Sequence, residues 1–204
     1  MTSTWKQCYS RAKQGDELAL GQLLEPYRNY LRLLARTQFH SDLKSKLDPS
    51  DLVQETFLHA HNNFGLFQGT TERELAGWLR SILANRLVSL ARFYQYSRKR
   101  NVQLEQRLNL TLDQSSAALE RLLPAQGPSP SEQVEEREEA VLVANALEQL
   151  PKHYRDVLVL RHLEGLTFPE VARRMKRTLN SVEHLWVRAL AKMRKIFEQK
   201  LEME

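Results

Sequence analysis

Two carboxylates, Asp51 and Glu55, stand four residues apart, a spacing that places both on one side of a helix. Paired carboxylates can do acid–base work, but only with a partner base, a metal or a phosphate-binding loop to complete the site. None is legible here. His59 and His61 are two apart on the same helix and do not face one metal. Cys8 is the only cysteine, so neither a cysteine-based zinc site nor an intramolecular disulfide can form. No nucleophile elbow, GxGxxG or GxxxxGK[ST] run occurs. The expectation is therefore no catalytic residue, no metal and no cofactor. Asp51, Gln54, Glu55 and Leu58 then read as a helix face that meets solvent or a protein partner.

A second chemistry is carried by residues 166–200. Thr167-Phe168-Pro169-Glu170 has the form of a capping box, with Thr at the N-cap and Glu three residues on. A short helix, a turn at Lys176-Arg177-Thr178 and a longer helix follow, the layout of a helix-turn-helix. Ala172 is small where the two helices must approach. The start of the second helix is the part that reaches base edges in a major groove. Asn180, Ser181, Glu183, His184 and Arg188 supply amide, hydroxyl, carboxylate, imidazole and guanidinium groups there. Arg173, Arg174, Lys176, Arg177, Lys192 and Arg194 would meet phosphates, which position without specifying. The candidate duplex-reading set is Arg177, Thr178, Asn180, Ser181, Glu183, His184, Arg188 and Lys192.

A third constellation interleaves aromatic and basic residues. Trp78, Phe93, Tyr94 and Tyr96 alternate with Arg80, Arg86, Arg92 and the run Arg98-Lys99-Arg100. Aromatic faces beside guanidinium groups suit single-stranded nucleic acid, whose unstacked bases lie on such surfaces. Trp78 and Phe93 taken singly also fit the core stripe of an amphipathic helix.

These groups need elements to position them. Apolar residues recur with helical period from Asp16 to about Phe39, with Pro26 as a kink or break. Asp48-Pro49-Ser50-Asp51 opens a second helix, with Leu52, Val53, Phe57 and Ala60 as its apolar face. A long helix runs from about Glu72 to Ser97, its stripe being Leu75, Leu79, Ile82, Leu83, Leu87 and Leu90. The stretch 101–133 holds Pro124, Gly127, Pro128 and Pro130 and reads as a flexible linker, with room for a short helix near Ser115–Leu123. An acidic helix from Glu132 to Leu150 follows, then one opened by Pro151 and ended by Gly165. The chain reads as all-α: a helical bundle over 1–100, a linker over 101–133 and a helix-turn-helix domain over 134–204.

The net charge is +5 over 204 residues, a small excess that is unevenly placed. Residues 71–100 hold seven basic groups against Glu72 and Glu74, and residues 166–200 hold nine against Glu170, Glu183 and Glu198. The remainder is net acidic. The two positive blocks coincide with the two candidate nucleic-acid surfaces. No apolar run approaches a membrane span and the N-terminus has no signal core, so the expectation is a soluble, cytoplasmic protein.

Together the motifs resemble bacterial RNA polymerase sigma factors of the sigma-70 family, in the extracytoplasmic-function group that keeps regions 2 and 4. Asp51-Leu52-Val53-Gln54-Glu55-Thr56-Phe57-Leu58 resembles the region 2.2 signature, which implies docking on the β′ clamp helices of core polymerase. Trp78-Leu79-Arg80-Ser81-Ile82-Leu83-Ala84-Asn85-Arg86 resembles regions 2.3–2.4 and implies opening of the −10 promoter element, with a base flipped near Asn85. That resemblance makes Trp78, Arg80, Asn85, Arg86, Arg92, Arg98, Lys99 and Arg100 the −10 candidates. Leu150-Pro151-Lys152-His153-Tyr154-Arg155-Asp156-Val157-Leu158 and the segment from Leu163 to Ala172 are similar to the start and turn of region 4. They imply reading of the −35 element and contact with the polymerase β flap. Glu183, His184 and Leu185 stand where the family often has Lys-Ser-Arg, which implies an unusual −35 sequence. The Asp48-Pro49-Ser50-Asp51 entry and Leu185-Trp186-Val187-Arg188-Ala189 resemble a planctomycete-type subgroup. The resemblance further implies promoter DNA as partner, duplex at −35 and single-stranded at −10, and an anti-sigma factor as a regulator. The alternative reading is a helix-turn-helix regulator that is not a polymerase subunit. It explains 166–200 and leaves 51–64 and 78–100 without a role.

Overall fold

The computed structural model describes residues 2–38, 48–95, 102–122 and 139–202, which form α-helices joined by short turns. The run Arg98-Lys99-Arg100, the proline-rich part of the expected linker and the first residues of the expected acidic helix lie outside the described residues.

Helix α1 spans Thr2–Lys13 and α2 Glu17–Leu24. Asp16 starts α2 by accepting from the Ala19 amide (2.9 Å) while Arg11 holds its carboxylate at 2.6 Å. The break foreseen at Pro26 is a 3-10 turn, Glu25–Tyr27, before α3, Arg28–Gln38. Proline has no amide to donate, so the i→i−4 ladder cannot run through it. Helix α4, Pro49–Asn63, begins as its sequence requires: Asp48 accepts from the Ser50 amide at 2.8 Å and Pro49 takes the first turn. Its buried row is Leu52, Val53, Thr56 and Ala60. Phe57, expected inside, is only half-buried beneath the Arg28 guanidinium (5.1 Å), and Thr56 takes the interior place. The Thr56 hydroxyl donates to Leu52 O (2.7 Å), so its polarity is satisfied within the helix.

Helix α5 spans Glu72–Gln95 and starts with a reciprocal capping box that the sequence reading did not identify. The Glu74 amide donates to Thr71 Oγ1 (3.1 Å), and the Thr71 amide donates back to the Glu74 carboxylate (3.0 Å). Gly69, just before it, has no room for a side chain. A Cβ there would lie 2.5 Å from the Phe67 ring and 2.7 Å from Glu74 Cβ.

One expectation is corrected. The first part of the supposed linker is helix α6, Val102–Glu120. Leu108, Leu112, Ser115, Ser116, Leu119 and Leu122 recur at helical spacing, and all but the half-buried Leu108 are buried. The two serines let α6 approach closely, and Ser116 accepts from Tyr30 Oη at 2.9 Å. Their polarity conceals the stripe in the sequence.

The second half holds α7 (Glu139–Gln149), α8 (Lys152–Leu158), a π-helical turn (Val159–Leu163), α9 (Phe168–Met175) and α10 (Leu179–Glu202). Gly165 follows the π turn at φ 68°, which only glycine adopts freely. The halves are not separate bodies on a string. Helix α3 packs on α7, and α6 packs on α3, α5, α7 and the π turn. Their buried side chains join in one apolar cluster.

Candidate polymerase and nucleic-acid interfaces

The helix-turn-helix is built by its turn. Lys176 has φ 55°, in the left-handed region. Its amide donates to Arg173 O (3.2 Å), and the Arg177 amide donates to Ala172 O (3.0 Å). This is a Schellman stop with lysine where glycine is usual. Thr178 then caps α10, its Oγ1 accepting from the Ser181 amide at 3.3 Å. At the front of α9, Glu170 accepts from the Thr167 hydroxyl (2.6 Å) and amide (2.7 Å). Those two bonds, the hydroxyl's first, hold the Glu170 carboxyl below its ordinary range.

The two helices are fixed by an aromatic clamp. Trp186 Nε1 donates to His162 Nε2 at 3.0 Å, and Trp186 meets the Phe168 ring edge-on at 5.5 Å. Arg161 lies over the other ring, 5.1 Å from the Phe168 centroid. Burial, and then the Arg161 charge, hold the His162 imidazole below its ordinary pKa, so it stays neutral and can accept. Val182, Leu185, Ala189 and Met193 are buried, as their period requires.

That packing leaves one face of α10 in solvent. Asn180, Glu183, His184, Arg188 and Lys192 are exposed, and Ser181 is half-buried beside them. They follow one another at three- and four-residue steps, forming a single row. Arg177 and Thr178 stand exposed at its start. Sequence reasoning missed a member of this row. Val187 is 57% exposed between His184 and Arg188, an apolar group within the polar row. Its signal was register alone: it lies on the polar side of the period. Lys192 leans on α8, its ammonium 5.4 Å from the Tyr154 ring centroid.

On α4, Asp51, Gln54, Glu55 and Leu58 are all exposed and again form one row at three- and four-residue steps. Leu58 is 63% exposed, an apolar centre inside a polar rim. The row continues into exposed His61 and Asn62.

On α5 the candidates separate. Trp78 is half-buried, its ring 5.1 Å from Phe67 and 6.3 Å from Phe64. Asn85 is exposed and Arg86 half-buried. Ser81 and Ser89 flank Asn85 in the same exposed row. Arg92 belongs to this helix, and its side chain lies outside the described residues. Arg80 points the other way. Its Nε donates to Asp113 on α6 (3.0 Å) and its Nη1 to Tyr30 Oη (2.6 Å). Five residues separate Arg80 from Asn85, about 140° around the helix axis. The guanidinium therefore ties α5 to α3 and α6.

The fold has thus brought out three solvent-facing rows, on α4, α5 and α10. Residues 25–96 match the family model for Sigma-70 region 2, and residues 140–193 match that for Sigma-70, region 4. RNA polymerase sigma factor CnrH of Cupriavidus metallidurans is 30% identical, over 90% of this chain and 89% of its own. The chain belongs to the sigma-70 family, in its extracytoplasmic-function group.

Other relatives of this sigma factor agree in extent. RNA polymerase sigma factor NccH of Alcaligenes xylosoxydans xylosoxydans is 28% identical over 90% of this chain and 89% of its own. The ECF RNA polymerase sigma-E factor of Haemophilus influenzae is 25% identical, covering 94% and 92%. Among solved structures, CnrH in complex with the cytosolic domain of CnrY aligns with 21% identity and a TM-score of 0.34, over 96% of this chain and 98% of that one. The α4 and α5 rows of the sigma factor lie within its region 2 match, and the α10 row within its region 4 match. Helix α6 falls between the two matches.

The two matched segments are latched by polar contacts. Asn29 on α3 donates to Asn145 Oδ1 on α7 (2.8 Å), and Asn145 Nδ2 donates to Pro26 O (3.0 Å). Glu148 on α7 accepts from Arg32 on α3 (2.9 Å) and also from Arg155 on α8. One carboxylate thus holds an arginine from each segment.

Proposed function

We propose that the three rows divide the work of promoter recognition. The sigma factor binds core polymerase and promoter DNA. The α4 row Asp51, Gln54, Glu55 and Leu58 would dock on the β′ clamp helices. Trp78, Asn85, Arg86, Arg92 and the Arg98-Lys99-Arg100 run would hold the unstacked −10 strand. The α10 row would enter the −35 major groove, with Arg177 and Lys192 on phosphates and Asn180, Glu183, His184, Val187 and Arg188 at base edges. Residues 1–100 and 134–204 are then the region 2 and region 4 units. Binding of the open strand drives melting, with no bond cleaved. The cytoplasm, where core polymerase works, is the compartment this function needs. The partner class extends to a regulator that sequesters the chain, since the relative CnrH is seen with the cytosolic domain of CnrY.

The observation that carries this reading is the α10 row: exposed polar groups in one register, directly after a Schellman turn and a capped short helix. The compact arrangement adds a requirement. Elements centred at −10 and −35 lie roughly 25 base pairs apart, about 85 Å along B-DNA. A compact chain of this length is only about 43 Å across. The two units must therefore separate to reach both elements. The test is transcription in vitro with a cognate core polymerase and a promoter mapped after overexpression. Start-site-specific transcripts and a footprint over both elements are expected. No initiation above core alone would reject the assignment.

A further inference from the structure

Between the two latched units lies a cleft of about 810 Å³, in the size range of small-ligand sites. Helix α3 lines one side, and α8, the π turn and the end of α9 line the other. Leu33, Leu160 and Met175 give it an apolar floor. Its rim is cationic. Arg36, Arg174 and Arg177 line it, are exposed, and have no carboxylate partner among the described residues. Lys152 also lines it and is paired to Asp156. The lining also holds the carboxylates of Asp156 and Glu164, but Arg36, Lys152, Arg155, Arg174 and Arg177 outnumber them, and this cationic excess around an apolar floor suits a ligand with several phosphate oxygens and a flat organic part. Guanidinium groups bind phosphate bidentately, and a ring can cover the floor.

We propose that this cleft binds a nucleotide carrying two or more phosphates, and that the nucleotide favours the closed chain. Arg36 comes from the first unit and Arg174 and Arg177 from the second. A ligand touching all three binds only when the units are together and draws the equilibrium toward that state. The occupancy stands apart from the promoter reading. Only its consequence rests on that reading: Arg174 and Arg177 flank the α10 row, so a bound nucleotide competes with −35 DNA.

The full chain is titrated with GTP and, separately, with inorganic triphosphate by isothermal calorimetry, and its compaction is followed by small-angle scattering. Saturable GTP binding is expected, weaker for triphosphate alone, with loss of at least about 10-fold in Arg36→Glu and part of that in Arg36→Gln. Compaction should rise with GTP in the parent and not in Arg36→Glu. A −35 duplex should bind Arg36→Glu as it binds the parent, which separates failure of the cleft from failure of the DNA surface. No saturable GTP binding up to about 1 mM, or equal GTP binding by Arg36→Glu, overturns the proposal. Triphosphate binding as tight as GTP overturns the nucleotide assignment.

Discussion

Removing Glu148 should loosen the closed chain by an amount the contacts allow to be worked out. Its side chain is 20% exposed, and those of Arg32 and Arg155 are 26% and 19% exposed, so all three are less than a third in water. Only the Arg32 pair crosses between the units. A hydrogen bond to a charged group contributes roughly 1.5–3 kcal/mol, and partial solvent screening favours the low end. In Glu148→Ala the closed state also leaves Arg32 and Arg155 facing each other without the carboxylate between them. Arg32 Nε is already buried without a partner, and the guanidinium would keep only the Asn29 Oδ1 acceptor that its Nη2 reaches at 3.1 Å. The sum is about 2 kcal/mol against the closed state, near a 30-fold change in the equilibrium. Spin labels at Asn62 and Lys195, with Cys8 replaced by serine, would report unit separation through a urea series. The separation midpoint should fall by about 1 M. Arg32→Ala should shift it similarly, and the double variant should add little to either single change. A midpoint unmoved in Glu148→Ala, or fully additive single effects, would refute the idea that this shared carboxylate is the latch.

The other predictions address the separate surfaces. Glu55→Arg should weaken core polymerase binding at least about 10-fold by reversing the charge at the centre of the α4 row while leaving duplex binding by the same chain intact, read by competition for core and by a −35 gel shift. Asn180→Ala or Arg188→Ala should cost about 1–3 kcal/mol of −35 discrimination, and unchanged promoter choice in both would reject the α10 row as the reader. His162 should make the second unit acid-sensitive. Its folded pKa is lowered, so the stabilisation is complete above the unfolded value of 6.5 and is lost as pH falls through it toward the folded value. The melting temperature should drop between pH 7 and 5, and His162→Gln, which keeps an acceptor for Trp186, should flatten that drop. Lys176→Gly should raise thermal stability by up to about 1 kcal/mol, because glycine adopts the left-handed turn without the side-chain clash.

Much of this protein is local and therefore legible in its sequence. Asp48-Pro49, Thr167-Phe168-Pro169-Glu170 and Gly165 act on backbone groups within one turn of themselves, and each did so where its spacing required. Apolar period placed the buried rows of α5 and α10, and with them the exposed rows opposite. The motif identities and charge blocks then led to the family. What the sequence could not carry was partnership between distant segments. Arg80 reads as one more cation beside a tryptophan until Asp113 and Tyr30, 33 and 50 residues away, turn it inward. Helix α6 reads as a tether because Ser115 and Ser116 look like surface, and only the close approach of α3 makes them interior. The latch at Glu148 and the cleft beside it exist only where two units meet. A carboxylate's ordinary preference is for water, and which arginine it meets instead is decided by packing alone.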